Sequence, residues 1–362
     1  MKFTDIHESS PKPEESDKRI AIIGSGPAGL AAARHLISKG YEVHVYERLP
    51  EPGGMLLFTI PSHRLPKERI RENVKELVGL GIKFYLRTKI IGKPEPLVEG
   101  DELVRRKIKF NRLLDSYDAI LIATGAWRSR RLGIPGEHLD GIYYALDYLF
   151  KVRSSELGYL PNEDVPPIGR RVAVIGAGLA AIDAAEEALR QGAEKVSILY
   201  RRTINEAPAG KHEIERVMKK GIEFVELVSP VEFIGIRKVE AIKLRRVRLG
   251  APDETGRPKP ELIPGSDFIM KFDTVILAIG EVATPPFISD YKGIKVMSDG
   301  RIQVDNKYRT TKEGVFAAGD VVTGPSRVGL AIKSGIEAAN AIDDYLNGKF
   351  EWPKPQKHNS ED

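Results

Sequence analysis

The sequence predicts an α/β protein built from two copies of one strand–turn–helix unit, the second inserted within the first. Three observations carry that prediction. An apolar run leads into a glycine-rich turn and then a helical stretch twice, once near residue 24 and once near residue 176. The segments Asp118–Gly125 and Asp273–Gly280 are near-copies, each an apolar strand ending in glycine. The length, 362 residues, suits two domains at roughly 100–200 residues each.

The first copy opens with Arg19–Ile23, a short apolar run of the kind that forms a buried parallel strand. Gly24-Ser25-Gly26-Pro27-Ala28-Gly29 follows, then a helix through Ile37, then Gly40 and a second apolar strand from Glu42 to Tyr46. Each glycine has a distinct task in a dinucleotide site. Gly24 permits the tight turn, Gly26 lets the backbone approach a pyrophosphate, and Gly29 allows close helix–strand packing. The helix that starts at Pro27 and Ala28 offers the free N–H groups of its first turn and the positive end of its dipole to phosphate. Glu47 closes the second strand, placed to accept from both ribose hydroxyls, with Arg48 beside it.

The second copy runs from Arg171–Ile175 into Gly176-Ala177-Gly178-Leu179-Ala180-Ala181. A helix continues to about Arg190, and the next strand spans Lys195 to Tyr200. Ala181 stands in the third glycine's place, a substitution the fingerprint tolerates. The strand ends differ: Tyr46-Glu47-Arg48 in the first copy, Tyr200-Arg201-Arg202 in the second. An acid suits a free 2′-hydroxyl, whereas adjacent guanidiniums match the charge and fork of a 2′-phosphate. The residues therefore assign FAD to the first turn and NADP(H) to the second.

The closing strands bring Ala123, Thr124 and Gly125 close to the first nucleotide, and Ala278 and Gly280 close to the second. The chain turns loop-like after each, which sets the boundaries. An FAD-binding domain is expected over 18–127 and 283–348, an NAD(P)-binding domain over 128–282, a polar tail over 1–17 and a tail over 349–362. Between the closing strands, β character from Phe224 to about Val247 predicts an antiparallel excursion, and Gly250–Gly265 reads as a Gly/Pro-rich loop. Near the C-terminus, the strand Gly314–Ala318 ends at Gly319-Asp320, and Val328-Gly329 opens a helix ending near Leu346. An acid at that strand tip can reach a ribityl hydroxyl. The helix can aim its N-terminus at the flavin edge that gains negative charge on reduction.

Composition narrows the function. Hydrophobic residues are 41% and charged residues 30% of an ordinary globular chain. No apolar stretch reaches the ~18 residues of a membrane span. The polar opening, Met1 to Lys18, has no secretory h-region, so the expected compartment is the cytoplasm. The net charge of +5 is spread along the chain. Its densest patch, Arg245-Arg246-Val247-Arg248, reads as a solvated strand face and not as a nucleic-acid contact. The cysteine count is zero, which excludes disulfides, thiolate metal sites, cysteine-held iron–sulfur clusters and dithiol chemistry within this chain. No metal site is expected.

On these motifs the chain resembles the small-subunit family of NADPH-dependent glutamate synthase. It is similar, more distantly, to adrenodoxin-reductase-type ferredoxin reductases. The matching stretches include both fingerprints, Gly53-Gly54-Met55-Leu56 with Ile60-Pro61 and Arg64-Leu65-Pro66-Lys67, Ala207-Pro208-Ala209, and Ala317-Ala318-Gly319-Asp320. They run from about Lys18 to Leu346. The resemblance implies a glutathione-reductase-like flavoprotein with two dinucleotide-binding domains. It also places Gly54, Met55, Leu56 and Arg64 beside the flavin.

Three departures stand out. Family members usually carry a cysteine-rich N-terminal domain with two iron–sulfur clusters, and only a short polar tail precedes the first strand here. Leu179 replaces the usual Asn or Asp, and Ala207 the usual Met. The expected reaction is hydride transfer between NADPH and flavin, with no protein acid or base required. No catalytic residue is therefore assigned. The expected acceptor is an external iron–sulfur protein or larger subunit. A stand-alone NADPH dehydrogenase using small acceptors, and a non-catalytic cofactor-bound subunit, are the alternatives.

Overall fold

A computed structural model of the chain describes residues 16–253 and 256–352. The elements that build the sites begin with β1 (Arg19–Ile23), α1 (Pro27–Ile37), β2 (Glu42–Tyr46), α2 (Lys67–Gly79), β3 (Lys83–Tyr85) and β4 (Ala119–Ile122). Next come β5 (Ile142–Tyr144), α3 (Ala145–Glu156), β6 (Arg171–Ile175), α4 (Leu179–Arg190), β7 (Lys195–Leu199), α5 (Lys211–Met218) and β8 (Glu223–Val225). The remainder are β9 (Val228–Ile234), β10 (Ala241–Pro252), β11 (Pro258–Lys271), β12 (Thr274–Leu277), β13 (Val315–Ala317) and α6 (Val328–Leu346). The chain gathers into two units. One holds the stretch up to Phe58, Ser62–Arg128 and the chain from Glu281 onward; the other holds Ser129–Gly280 together with Thr59–Pro61.

The first unit is built on a parallel sheet in the order β13-β4-β1-β2-β3. Its strands are near-continuous apolar runs because both faces are covered. Ile20 and Ile22 pack toward α1 and α6, among Leu30, Ala32, Leu36, Ala338 and Ile342. Ala21 and Ile23 pack on the other face with Phe110, Phe287, Ile294 and Val321. The small residues of α1 let α6 approach closely: a Cβ on Gly335 would lie 2.2 Å from the carbonyl oxygen of Ala28. Phe350 and Trp352, expected in a tail, pack on Tyr345 and Phe316. Residues 1–15 and 353–362, the rest of the expected tails, lie outside the described residues.

The second unit repeats the plan, in the order β8-β7-β6-β12-β5, with every pair parallel. Val172 and Val174 of β6 pack on the alanines of α4, while Ala173 and Ile175 face the other way. That second face is covered by the antiparallel sheet β9-β10-β11, through Val228, Phe233, Ile242 and Leu244. In both units the acid opening the closing strand bonds the backbone at the start of the first strand. Asp118 accepts from the Arg19 N–H at 2.8 Å and Asp273 from the Arg171 N–H at 3.0 Å.

The segment Gly250–Gly265, read as a loop from its Gly and Pro content, is largely the end of β10 and the start of β11. Two register shifts mark the pairing, and Pro258 and Pro260 sit on β11, the edge strand. An edge strand tolerates proline because one row of its N–H groups has no ladder partner to lose. The arginine patch lies along β10 and is matched from β11. Arg245 pairs with Asp267 at 2.5 Å, Arg248 with Glu261 at 2.9 Å, and Arg246 lies over the Phe268 ring.

On α4, Glu186 is buried beneath Arg216 and Lys220, at 2.7 and 2.5 Å. Burial pushes its carboxyl upward, but the two hydrogen bonds outweigh it and hold the group at about 2. Among the described residues no helix is long and apolar enough to cross a membrane, and no cluster of three or more ligating side chains could hold a metal ion.

Candidate functional sites at two glycine turns

The two glycine turns share one set of constraints. Gly24 and Gly176 have φ of +100° and +123°, which glycine adopts without a Cβ penalty. A Cβ at Gly24 would also lie 2.4 Å from the Ala123 carbonyl oxygen, and one at Gly176 2.2 Å from that of Ala278. Each closing strand therefore passes directly against the first glycine. A Cβ on Gly29 would meet the Gly24 oxygen at 2.0 Å. In the second unit Ala181, fully buried, takes the equivalent place.

The middle glycines are different. Gly26 and Gly178 are extended and partly exposed, and a Cβ on either finds nothing within 4 Å. No neighbouring atom of either unit fills the space a Cβ would take there, which leaves the backbone open to close approach. Both residues are helix N-caps without a side-chain cap, and neither helix has an acid in its first turn. The first N–H groups of α1, from Ala28 on, and of α4, at Leu179–Ala180, thus have no cap, an arrangement that suits an anion. Leu179, where an amide or acid is usual, is 43% exposed at that helix start.

Around the first turn, Glu47 is 4% exposed. One carboxylate oxygen accepts from the Ser25 N–H at 2.9 Å and the Ser25 hydroxyl at 2.5 Å; the other accepts from the Leu49 N–H at 2.8 Å. A carboxylate has about four acceptor positions, and three of them are taken by Ser25 and Leu49. The acid first of all shapes the turn. Arg48 lies 4.4 Å over the Trp127 ring and 3.7 Å from Asp101, yet its two buried terminal nitrogens make no hydrogen bond. Burial works against its charge, with Glu47 and Asp101 opposing that effect. The Thr124 hydroxyl is likewise buried without a partner. Orphaned donors of this kind beside an open glycine fit a polar ligand.

Gly54 is buried against Gly26, where a Cβ would come within 3.1 Å of the Gly26 Cα. Leu56 is in the core, Met55 is half-buried, and Arg64 and His63 are exposed. Gly125 follows the closing strand with φ of +74°, and Gly280 follows its counterpart with φ of +100°. Gly319 sits so near Ala28 that a Cβ would approach the Ala28 Cβ to 2.9 Å. Asp320 next to it accepts from Ser326 at 2.6 Å, and burial raises its carboxyl, with Ser326 opposing. Val328 and Gly329 open α6, which also lacks a side-chain cap and a first-turn acid.

Around the second turn the two arginines part company. Arg201 is exposed; Arg202 is 3% exposed and turned inward. Its Nε donates to the Pro258 carbonyl at 2.7 Å and its Nη2 to Asp253 at 2.9 Å. The adjacent pair expected to fork one phosphate therefore does not present together. Arg202 is spent on the hairpin packed beside β7, a long-range contact invisible in local sequence. Arg201 is disfavoured as a cation by burial, then by Arg202 and Arg257, with Tyr200 and Asp253 opposing.

Residues 18–335 match the model of the pyridine nucleotide-disulphide oxidoreductase family. The chain belongs to that family. It is accordingly an oxidoreductase of the kind that binds FAD and a pyridine nucleotide, and the open glycines and orphaned donors fit such groups. It is 36% identical over 338 residues to the glutamate synthase [NADPH] small chain of Halomonas elongata, covering 92% of this chain and 69% of that one. The corresponding small chain of Escherichia coli is 34% identical over 343 residues, with 92% and 70% covered. Both relatives are named as one chain of a larger enzyme. The structure of FprA from Mycobacterium tuberculosis matches with a TM-score of 0.76 at 22% identity, covering 92% of this chain and 85% of that one. That likeness supports the two-dinucleotide-binding flavoprotein fold.

Proposed function

We propose that this chain is an NADPH-dependent flavoprotein that passes electrons between NADPH and an acceptor outside itself, an iron–sulfur protein or a larger subunit. FAD is assigned to the Gly24 turn and NADP(H) to the Gly176 turn, which makes the two units the FAD-binding and NAD(P)-binding domains. One observation carries the reading. Two equivalent cradles, each with a middle glycine open to a ligand, end in opposite chemistry: a buried acid at Glu47 and an exposed cation at Arg201.

FAD, when bound, supplies the hydride and single-electron chemistry. The chain's own residues bind and orient. The first N–H groups of α1 take the pyrophosphate, Glu47 one ribose hydroxyl, and Arg48 and Thr124 offer the unpartnered donors. Asp320 would hold the ribityl chain, and the uncapped start of α6 would set positive potential at the flavin. With no cysteine in the chain, it holds no thiolate cluster to receive the electrons, which supports an external acceptor.

The test is anaerobic titration of the purified protein. A yellow protein whose flavin bleaches with NADPH, and far more slowly with NADH, is the expected result. A protein that cannot be loaded with FAD overturns the reading.

A further inference from the structure

The inward turn of Arg202 leaves the 2′-phosphate site one cation short of the expected pair, and the β10–β11 hairpin is placed to supply it. Asp253 organises the tip. Its N–H donates to the Arg257 carbonyl at 2.8 Å, and its carboxylate accepts from the Arg257 N–H at 3.3 Å and from Arg202 at 2.9 Å. The Pro258 carbonyl, one residue beyond Arg257, accepts from the Nε of Arg202. A single buried guanidinium thus fastens the tip to the end of β7, immediately next to Arg201. The edge of Arg202 suited to a bidentate phosphate contact is already used on the hairpin. Arg257 is exposed, and its charge acts on Arg201. Arg202 and Arg257 both act on Arg201 as like charges, so this corner favours an added anion, the electrostatic counterpart of a 2′-phosphate.

Resting on the assignment of NADP(H) to this unit, we propose that Arg257 joins Arg201 as the second guanidinium of the 2′-phosphate site, and that Arg202 and Asp253 are the latch holding it there. Arg202 and Asp253 are positioning residues; Arg201 and Arg257 set the preference for the phosphorylated ribose. The shared fingerprint does not specify this, because the hairpin lies more than fifty residues beyond the strand end it completes.

The probes are 2′,5′-ADP and 5′-AMP, titrated calorimetrically into the full-length, flavin-loaded protein. Wild type should bind 2′,5′-ADP more tightly than 5′-AMP. Arg257→Ala should weaken 2′,5′-ADP about tenfold, or about 1.4 kcal/mol, while leaving 5′-AMP and the melting temperature unchanged. Asp253→Asn should weaken the same ligand selectively and lower the melting temperature, since it loosens the latch. Wild-type affinity of Arg257→Ala for 2′,5′-ADP overturns the proposal alone. If wild type itself shows no preference between the probes, the NADP(H) assignment falls, and the proposal with it.

Discussion

Replacing Gly26 by alanine separates what the fold needs from what the ligand needs. Gly26 has φ of −70° and ψ of −176°, and a Cβ there meets no atom within 4 Å. The protein alone should therefore accept the methyl group. At an unstrained site Gly→Ala stabilises by about 0.4–1 kcal/mol through the unfolded chain. The ligand should not accept it, because the methyl group fills the space left for a pyrophosphate against the N–H groups of α1. Losing two charge-assisted hydrogen bonds at about 1.5 kcal/mol each costs about 3 kcal/mol, a hundredfold or more in FAD affinity.

The assay is flavin content after purification together with the melting temperature of the stripped protein. Gly26→Ala should melt at or slightly above wild type and be nearly colourless. Gly178→Ala, open in the same way, should stay yellow and lose nucleotide binding. Gly29→Ala, with its Cβ 2.0 Å from the Gly24 oxygen, should fail to fold. A Gly26→Ala protein carrying wild-type flavin would refute the reasoning, as would one that melts many degrees lower.

Two further outcomes concern ionisation. Glu186, held at about 2 by Arg216 and Lys220 against the upward push of burial, contributes stability that is full above its ordinary range and lost as pH falls through about 2. Allowing for the partial exposure of both cations, Glu186→Gln should cost about 1–2 kcal/mol at neutral pH. The deficit should shrink between about pH 4.5 and 2, as read by denaturant melts; a deficit independent of pH would contradict the assignment. Asp320 has the opposite sign. Burial raises its carboxyl, so its ionisation costs stability as pH rises above about 4. Asp320→Asn should raise the melting temperature of the stripped protein at neutral pH, with the gain vanishing in acid, and should weaken FAD binding. A mutant with no gain in stability would show that the carboxylate is not strained.

What the sequence disclosed and what it hid divide along physical lines. Gly24, Gly29 and Gly176 were legible because every such turn shares their need for glycine: a positive φ with the neighbouring closing strand behind it at Gly24 and Gly176, and the turn's own backbone at Gly29. The continuous burial of β1 and β6 was legible for the same reason, since a parallel strand covered on both faces must be apolar throughout. Arg202 was not. Its partners lie 51 and 56 residues away, and an arginine after a strand looks the same whether it faces a phosphate or a hairpin. Glu47 was half legible: its type and place suggested a ligand contact, but its prior commitment to Ser25 and Leu49 did not show. The strands over Gly250–Gly265 were concealed by prolines that only an edge strand tolerates.

The close seam between α1 and α6 sets an order on biosynthesis. The wall behind the first glycine turn is made by Gly335 seated on Ala28, and the sheet edge by Val315–Ala317. Both are translated after the whole of Ser129–Gly280 has been synthesised. The nascent chain can thus close its second unit while the first still lacks its outer strand and covering helix. Of the two units, the one begun first is completed last, and its glycine turn lacks its wall until α6 has been made.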